Sequence, residues 1–103
     1  MMHGKTPNKA EKAWMAAITA LGCIVCRNQG YGYVPAAVHH IVSGSRRLGH
    51  LYSIPLCDPG HHQNAPKDSG EISRHPFKAQ FEERYGTEME LLEQCRQLVR
   101  VAA

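Results

Sequence analysis

Apolar residues recur at helical spacing at both ends of this chain. Trp14, Ala17, Ile18 and Leu21 form one stripe, and Leu91, Leu92, Cys95, Leu98 and Val99 form the other. Spacings of three and four residues put such positions on one face of a helix, so each stripe predicts a helix packed on a core. The first helix is expected over about residues 9–21. Asn8 and Glu11 have the spacing of a capping box, and Gly22 suits the C-terminal end. Thr87 with Glu90 repeats the capping signal ahead of the last helix. Gly86 separates that helix from one expected over about Pro76 to Arg84. Within these faces Trp14 reads as core packing, and Cys95 as a buried thiol rather than a ligand. Residues Met1 to Pro7, with His3 among them, carry no pattern and are expected to be frayed surface chain.

Between the helices the pattern changes. Val34 to Val42 is rich in β-branched residues and predicts a strand carrying His39 and His40. Neighbours on a strand point to opposite faces, so these two histidines need not share one task unless a bend turns them. Ser43 to His50 is a Gly/Ser loop containing Arg46 and Arg47, and Leu51 to Leu56 predicts the returning strand of a hairpin. Pro59 is placed to start a short helix holding His61 and His62. Ala65 to Arg74 is polar and loop-like, and His75, ahead of Pro76, is expected to be extended. This order of elements is α+β, with no internal repeat or low-complexity segment.

Composition narrows the partners and the compartment. At 103 residues and 11.5 kDa the chain is expected to be a single domain, and a hydrophobic fraction of 43% argues against disorder. A core this small is often stapled by a bound metal. The net charge of +3 and pI near 8.8 are compatible with a polyanionic partner without requiring one. No apolar run is long enough to span a membrane and no signal-peptide pattern is present, so the expected location is the cytoplasm, where thiols stay reduced. Four cysteines there read as metal ligands or buried thiols before disulfides.

Three of those cysteines and five of the seven histidines fall between Cys23 and His62. Two residues between Cys23 and Cys26 let a tight turn aim both thiolates at one tetrahedral ion. A thioredoxin-like redox pair would need a βαβ context, with the pair opening a helix after a strand. Cys57 is the other cysteine outside an apolar helix face, and His61 or His62 supplies a fourth ligand for a structural zinc. The remaining histidines, His39, His40, the free member of His61 and His62, and His75, flank the expected hairpin and short helix. Phosphodiester hydrolysis needs a base to take a proton from water and a divalent ion to neutralise charge on phosphate and leaving oxygen. Neutral imidazole serves both purposes near pH 7.

Two strands and a short helix, with a histidine on the first strand and another on the helix, is the layout of a ββα-metal nuclease site. Cys23-x-x-Cys26, His39-His40-Ile41, Pro55-Leu56-Cys57 and His61-His62 together resemble the HNH endonuclease motif with its zinc knuckle. Arg46-Arg47-Leu48-Gly49-His50, Ile54 to Cys57, His61-His62 and the string from Phe81 through Tyr85-Gly86-Thr87-Glu88 resemble small phage and prophage HNH proteins, in particular the Ref-type recombination-enhancement nucleases. The likeness covers about residues 20–92 and rests on the order and spacing of elements that are weak singly.

The resemblance implies an HNH-type core with a zinc knuckle, flanked by an N-terminal helix and C-terminal helices. It implies His40 as general base, His39 at a metal-binding position and His62 as the closing metal ligand. It implies a structural zinc on Cys23, Cys26, Cys57 and His61, with exchange of the His61 and His62 roles left open by one inserted residue. Asp58 and His75 match further active-site positions of Ref-type proteins, so the ligands of a catalytic Mg²⁺ or Mn²⁺ come from His39, His62, His75 and Asp58. The Asn of the motif is missing near Tyr52, which leaves Tyr52, Ser53 and His50 as candidates to orient the base. Arg46 and Arg47 would contact DNA phosphates, and the resemblance implies a RecA-type filament as partner. Two other readings stand beside this one: a zinc-stabilised binding module without catalysis, and a CxxC thiol oxidoreductase.

Overall fold

A computed structural model describes residues 6–102; most of the N-terminal stretch expected to fray, His3 included, lies outside the described residues. The fold is α+β, with four helices and two small antiparallel sheets among those residues. Helix α1 runs Lys9–Leu21. The Asn8 side chain accepts from the Glu11 N–H at 2.8 Å, and the Glu11 carboxylate accepts from the Asn8 N–H at 2.9 Å, completing the capping box. Helix α2 is the five-residue turn Ile24–Asn28. It replaces the tight turn expected at the CxxC pair: Cys23 is its N-cap and Cys26 lies inside it.

The expected hairpin is present but broken. Strand β1, Ala37–His40, pairs antiparallel with β4, Ser53–Leu56, with His39 opposite Ile54 and His40 opposite Ser53. The strand is interrupted at Ile41, which is buried, while its N–H still donates to the Tyr52 carbonyl at 2.8 Å. Beyond the kink β2, Val42–Ser43, pairs with β3, Arg46–Arg47. The segment expected as an open loop is thus a short exposed hairpin tip, formed by pairing rather than by propensity.

The helix expected from Pro59 is absent. Gly60 has φ +146, which is outside the helical region, and its N–H turns to the Gln63 carbonyl at 2.7 Å. The His61 N–H donates to the Cys57 sulfur at 3.3 Å and the His62 N–H to the Cys57 carbonyl at 2.8 Å. The chain curls around a thiol, and those contacts outcompete the preference of Pro59 for a helical first turn. Segment 73–75 then runs along this turn, with the Arg74 and His75 N–H groups donating to the His61 and His62 carbonyls at 2.8 and 3.0 Å.

Helix α3 spans Lys78–Tyr85, starting two residues later than expected, and α4 spans Glu88–Ala102. The Thr87 hydroxyl accepts from the Glu90 N–H at 3.1 Å, as its sequence spacing indicates. Both α1 and α4 pack on β4. The core joins Ile18 of α1, Ile24 and Val25 of α2, Ile41, Ile54, Leu56, Phe81 and the Leu91, Leu92 and Cys95 face of α4. Trp14 covers its edge and donates to the Ser53 carbonyl at 3.3 Å.

Candidate functional site

Two clusters of metal-ligating side chains form on opposite flanks of the Cys57–His62 turn. The first brings Cys23, Cys26, Cys57 and His61 together, all buried. His61 Nδ1 lies 3.5 Å from Cys23 Sγ, 3.4 Å from Cys26 Sγ and 3.3 Å from Cys57 Sγ, and the Cys26 and Cys57 sulfurs are 3.7 Å apart. Tetrahedral zinc with bonds of about 2.3 Å to sulfur and about 2.05 Å to nitrogen has edges of about 3.8 Å between sulfurs and about 3.6 Å between sulfur and nitrogen. The observed separations are those edges to within a few tenths of an ångström.

The three sulfurs perturb one another. The hydrogen bond from Cys23 does most to hold the Cys57 thiol down near 4, while the same contact pushes Cys23 well above the ordinary thiol range. Burial pushes Cys26 up to about 11. A cation bound among the sulfurs would favour all three as thiolates. The donor set and its closure fit a structural zinc.

The imidazole is braced from behind. His61 Nε2 meets Glu71 Oε1 at 2.8 Å, and the same oxygen accepts from Tyr85 Oη at 2.8 Å and Gln29 Nε2 at 3.0 Å. Burial opposes ionisation of Glu71, but these three donors outweigh it and bring its carboxyl down to about 2. With Nε2 facing a carboxylate, Nδ1 is left for the metal, the usual carboxylate–histidine–zinc relay. Convergence of all four groups on one point also separates Cys23 and Cys26 from a redox pair, which would stand apart from other ligands.

The second cluster is His39, His62 and His75. Their ring centroids are 5.1 to 5.3 Å apart, each pair edge to face. His39 reaches the cluster from β1, His62 from the end of the turn, and His75 from the segment paired against that turn. Burial is graded across them: His39 is buried, His62 half-buried and His75 exposed. A closed donor shell suits a structural ion, whereas a shell with one open side leaves room for water or substrate. His62 Nδ1 is buried without a hydrogen-bond partner; Asp58 Oδ2, at 3.6 Å, is beyond bonding distance. Burial lowers the pKa of His62 and His75, favouring the neutral, ligand-competent ring. These imidazoles therefore fit a second cation.

The sequence-derived residues sort cleanly. His61 joins the cysteines and His62 the histidines. Asp58 is exposed, accepts from Gln63 Nε2 at 2.8 Å and stands outside the three-histidine group. His40 is half-buried and is not part of that group; its Nε2 is 3.0 Å from His50 Nδ1. Burial, then Arg47, His50 and His39, lower its pKa. Of the three candidates to orient it, His50 makes this contact, while Ser53 Oγ donates to the His50 carbonyl at 2.8 Å and the Tyr52 ring faces Arg96. Arg46 and Arg47 are exposed on β3. Sequence reasoning did not single out Glu71 or Arg74, and it carried Glu88 only inside a resembling string. Glu88 is buried and contacts His39 Nε2 and Arg74 Nε through one carboxylate oxygen.

No described helix is long and apolar enough to cross a membrane. Comparison with curated proteins gives no match. Residues 7–100 match the family model described as recombination enhancement, RecA-dependent nuclease, and with nearly its whole length covered the chain belongs to that family.

Proposed function

We propose that this chain is a metal-dependent DNA endonuclease of the HNH type, a single domain with its core over about residues 20–92. The observation that carries the reading is the open His39, His62 and His75 group, with His40 following His39 on β1. Strands β1 and β4 would supply the two strands of the ββα core, with the Cys57–His62 turn presenting His62 where that layout has a helix. Cys23, Cys26, Cys57 and His61 would hold zinc and fix the turn that presents His62. His39, His62 and His75 would hold the divalent cation, with Asp58 alongside His62. When bound, that cation neutralises charge on the scissile phosphate and the departing 3′ oxygen. An all-imidazole donor set favours Mn²⁺ or a later first-row ion over Mg²⁺.

The chain's own residues do the rest. His40 is the general base: Nε2 is committed to His50, so Nδ1 takes the proton from water. Its lowered pKa favours the free base at neutral pH. Arg46 and Arg47 contact phosphates from the exposed hairpin tip. A net charge of only +3 gives little grip on intact duplex, in keeping with a nuclease directed to its DNA by a RecA filament, the dependence stated in the family description. The test is His62→Ala. It is expected to abolish cation-dependent DNA cleavage while one zinc per chain remains, with partial recovery at raised Mn²⁺. Cleavage at the wild-type rate and the wild-type Mn²⁺ requirement would refute the ligand assignment.

A further inference from the structure

The carboxylate of Glu88 is one of the few charged groups in the interior, and zinc binding does not explain it. Its side chain is 3% exposed on the first turn of α4. One oxygen, Oε2, meets both His39 Nε2 and Arg74 Nε, the latter at 2.7 Å. Lys78 Nζ lies 3.9 Å from the other oxygen, and the backbone N–H of Glu88 donates to Glu82 Oε2 at 2.9 Å. Arg74 is itself 8% exposed along its side chain. Burying both charges is costly unless each is paired, and here Arg74 and Glu88 pair with each other. Glu88 is not among the three converging residues, so its carboxylate backs His39 rather than completing the ligand set.

The Cys₃His site shows the same construction. There Glu71 faces His61 Nε2, and Nδ1 turns to the sulfurs.

We infer that Glu88, held by Arg74, is the positioning residue of the second cation site: it fixes His39 as the Nε2–H tautomer and so directs the Nδ1 lone pair at the cation. This rests on the proposed cation at His39, His62 and His75. Carboxylates in this position typically change metal affinity by about 10–100-fold. A carboxylate anchored on α4 also ties the ligand geometry to the core, because α4 packs on β4, the partner of the strand that carries His39.

The test uses the full chain loaded with one equivalent of zinc. In the wild type, nitrogen-15 NMR of labelled histidine is expected to show His39 protonated on Nε2 and bare on Nδ1. Calorimetric titration with Mn²⁺ is expected to show about 10–100-fold weaker binding to Glu88→Gln, with zinc content unchanged, and partial recovery in Glu88→Asp. A His39 protonated on Nδ1 overturns the inference, and so does equal Mn²⁺ affinity in wild type and Glu88→Gln. If Glu88→Gln does not fold, the wild-type tautomer alone decides. If the wild type binds no Mn²⁺, the cation reading itself fails and takes this inference with it; loss confined to the variant supports both.

Discussion

Gly60→Ala tests whether the turn after Cys57 exists to close the cysteine cluster. At φ +146 the backbone of residue 60 is in a region that L side chains rarely adopt, which costs about 1–3 kcal/mol once a Cβ is present. That Cβ would also sit 2.6 Å from Cys57 Sγ. Ordinary contact begins at about 3.5 Å, so the sulfur must retreat by close to an ångström. Metal–ligand distances tolerate about 0.2 Å, so the displaced thiolate leaves the coordination shell distorted or three-coordinate. For a domain of this size each kcal/mol shifts Tm by about 4–8 °C, so strain near 2 kcal/mol alone predicts a fall of about 8–16 °C. The expected result is that fall, together with zinc release at a chelator concentration the wild type withstands. Both are read by thermal melts and a colorimetric zinc assay. Gly44→Ala is the control: φ is +65 there, but nothing lies within 4 Å of the added Cβ, so it carries backbone strain without zinc loss. A Gly60→Ala protein with wild-type zinc retention and Tm within a few degrees would refute the reasoning.

Two further outcomes follow from the same geometry. Chelation of the zinc is expected to unfold much of the chain, because four ligands from α2 and the Cys57–His61 turn are tied through one ion; unchanged circular dichroism after verified zinc removal would contradict this. Arg46→Ala combined with Arg47→Ala is expected to weaken DNA binding and to reduce the salt slope by about 2, leaving zinc content and Tm intact, and an unchanged slope would make the hairpin tip a solvated surface only.

Local signals were readable where the physics is local. The capping boxes at Asn8 and Thr87, and the apolar faces of the first and last helices, involve residues three or four apart and appear in the structure as expected. The ligand types were also visible, since cysteines and histidines at such density exceed what a small core uses. The division of His61 from His62 was implied by the resemblance alone, because the spacing from Cys57 left either histidine possible. It depends on a turn made by N–H groups facing the Cys57 sulfur and carbonyl and by Gly60, and Pro59-Gly60 is as much a turn signal as a helix start. The carboxylates behind the metal ligands were hidden for a different reason. Glu71 sits in a polar stretch that reads as loop, and Glu88 at a helix start where acids are ordinary. Their roles arise from contacts with His61, 10 residues away, and His39, 49 residues away. Sequence periodicity carries no information about which surface charge becomes buried.

The proposed role of His40 as the base in cation-dependent hydrolysis can be tested directly. The direct measurement compares cleavage of duplex DNA, single strands and recombination intermediates by wild type and His40→Ala, with Mn²⁺ or Mg²⁺, with and without a RecA filament. The wild type is expected to cut in a metal-dependent way and His40→Ala to lose about 10²–10⁴-fold, with zinc content and Tm preserved. Wild-type cutting matched by His40→Ala would contradict the base assignment. No cutting of any substrate under any of these conditions would contradict the nuclease mechanism and leave a zinc-stabilised binding module in its place.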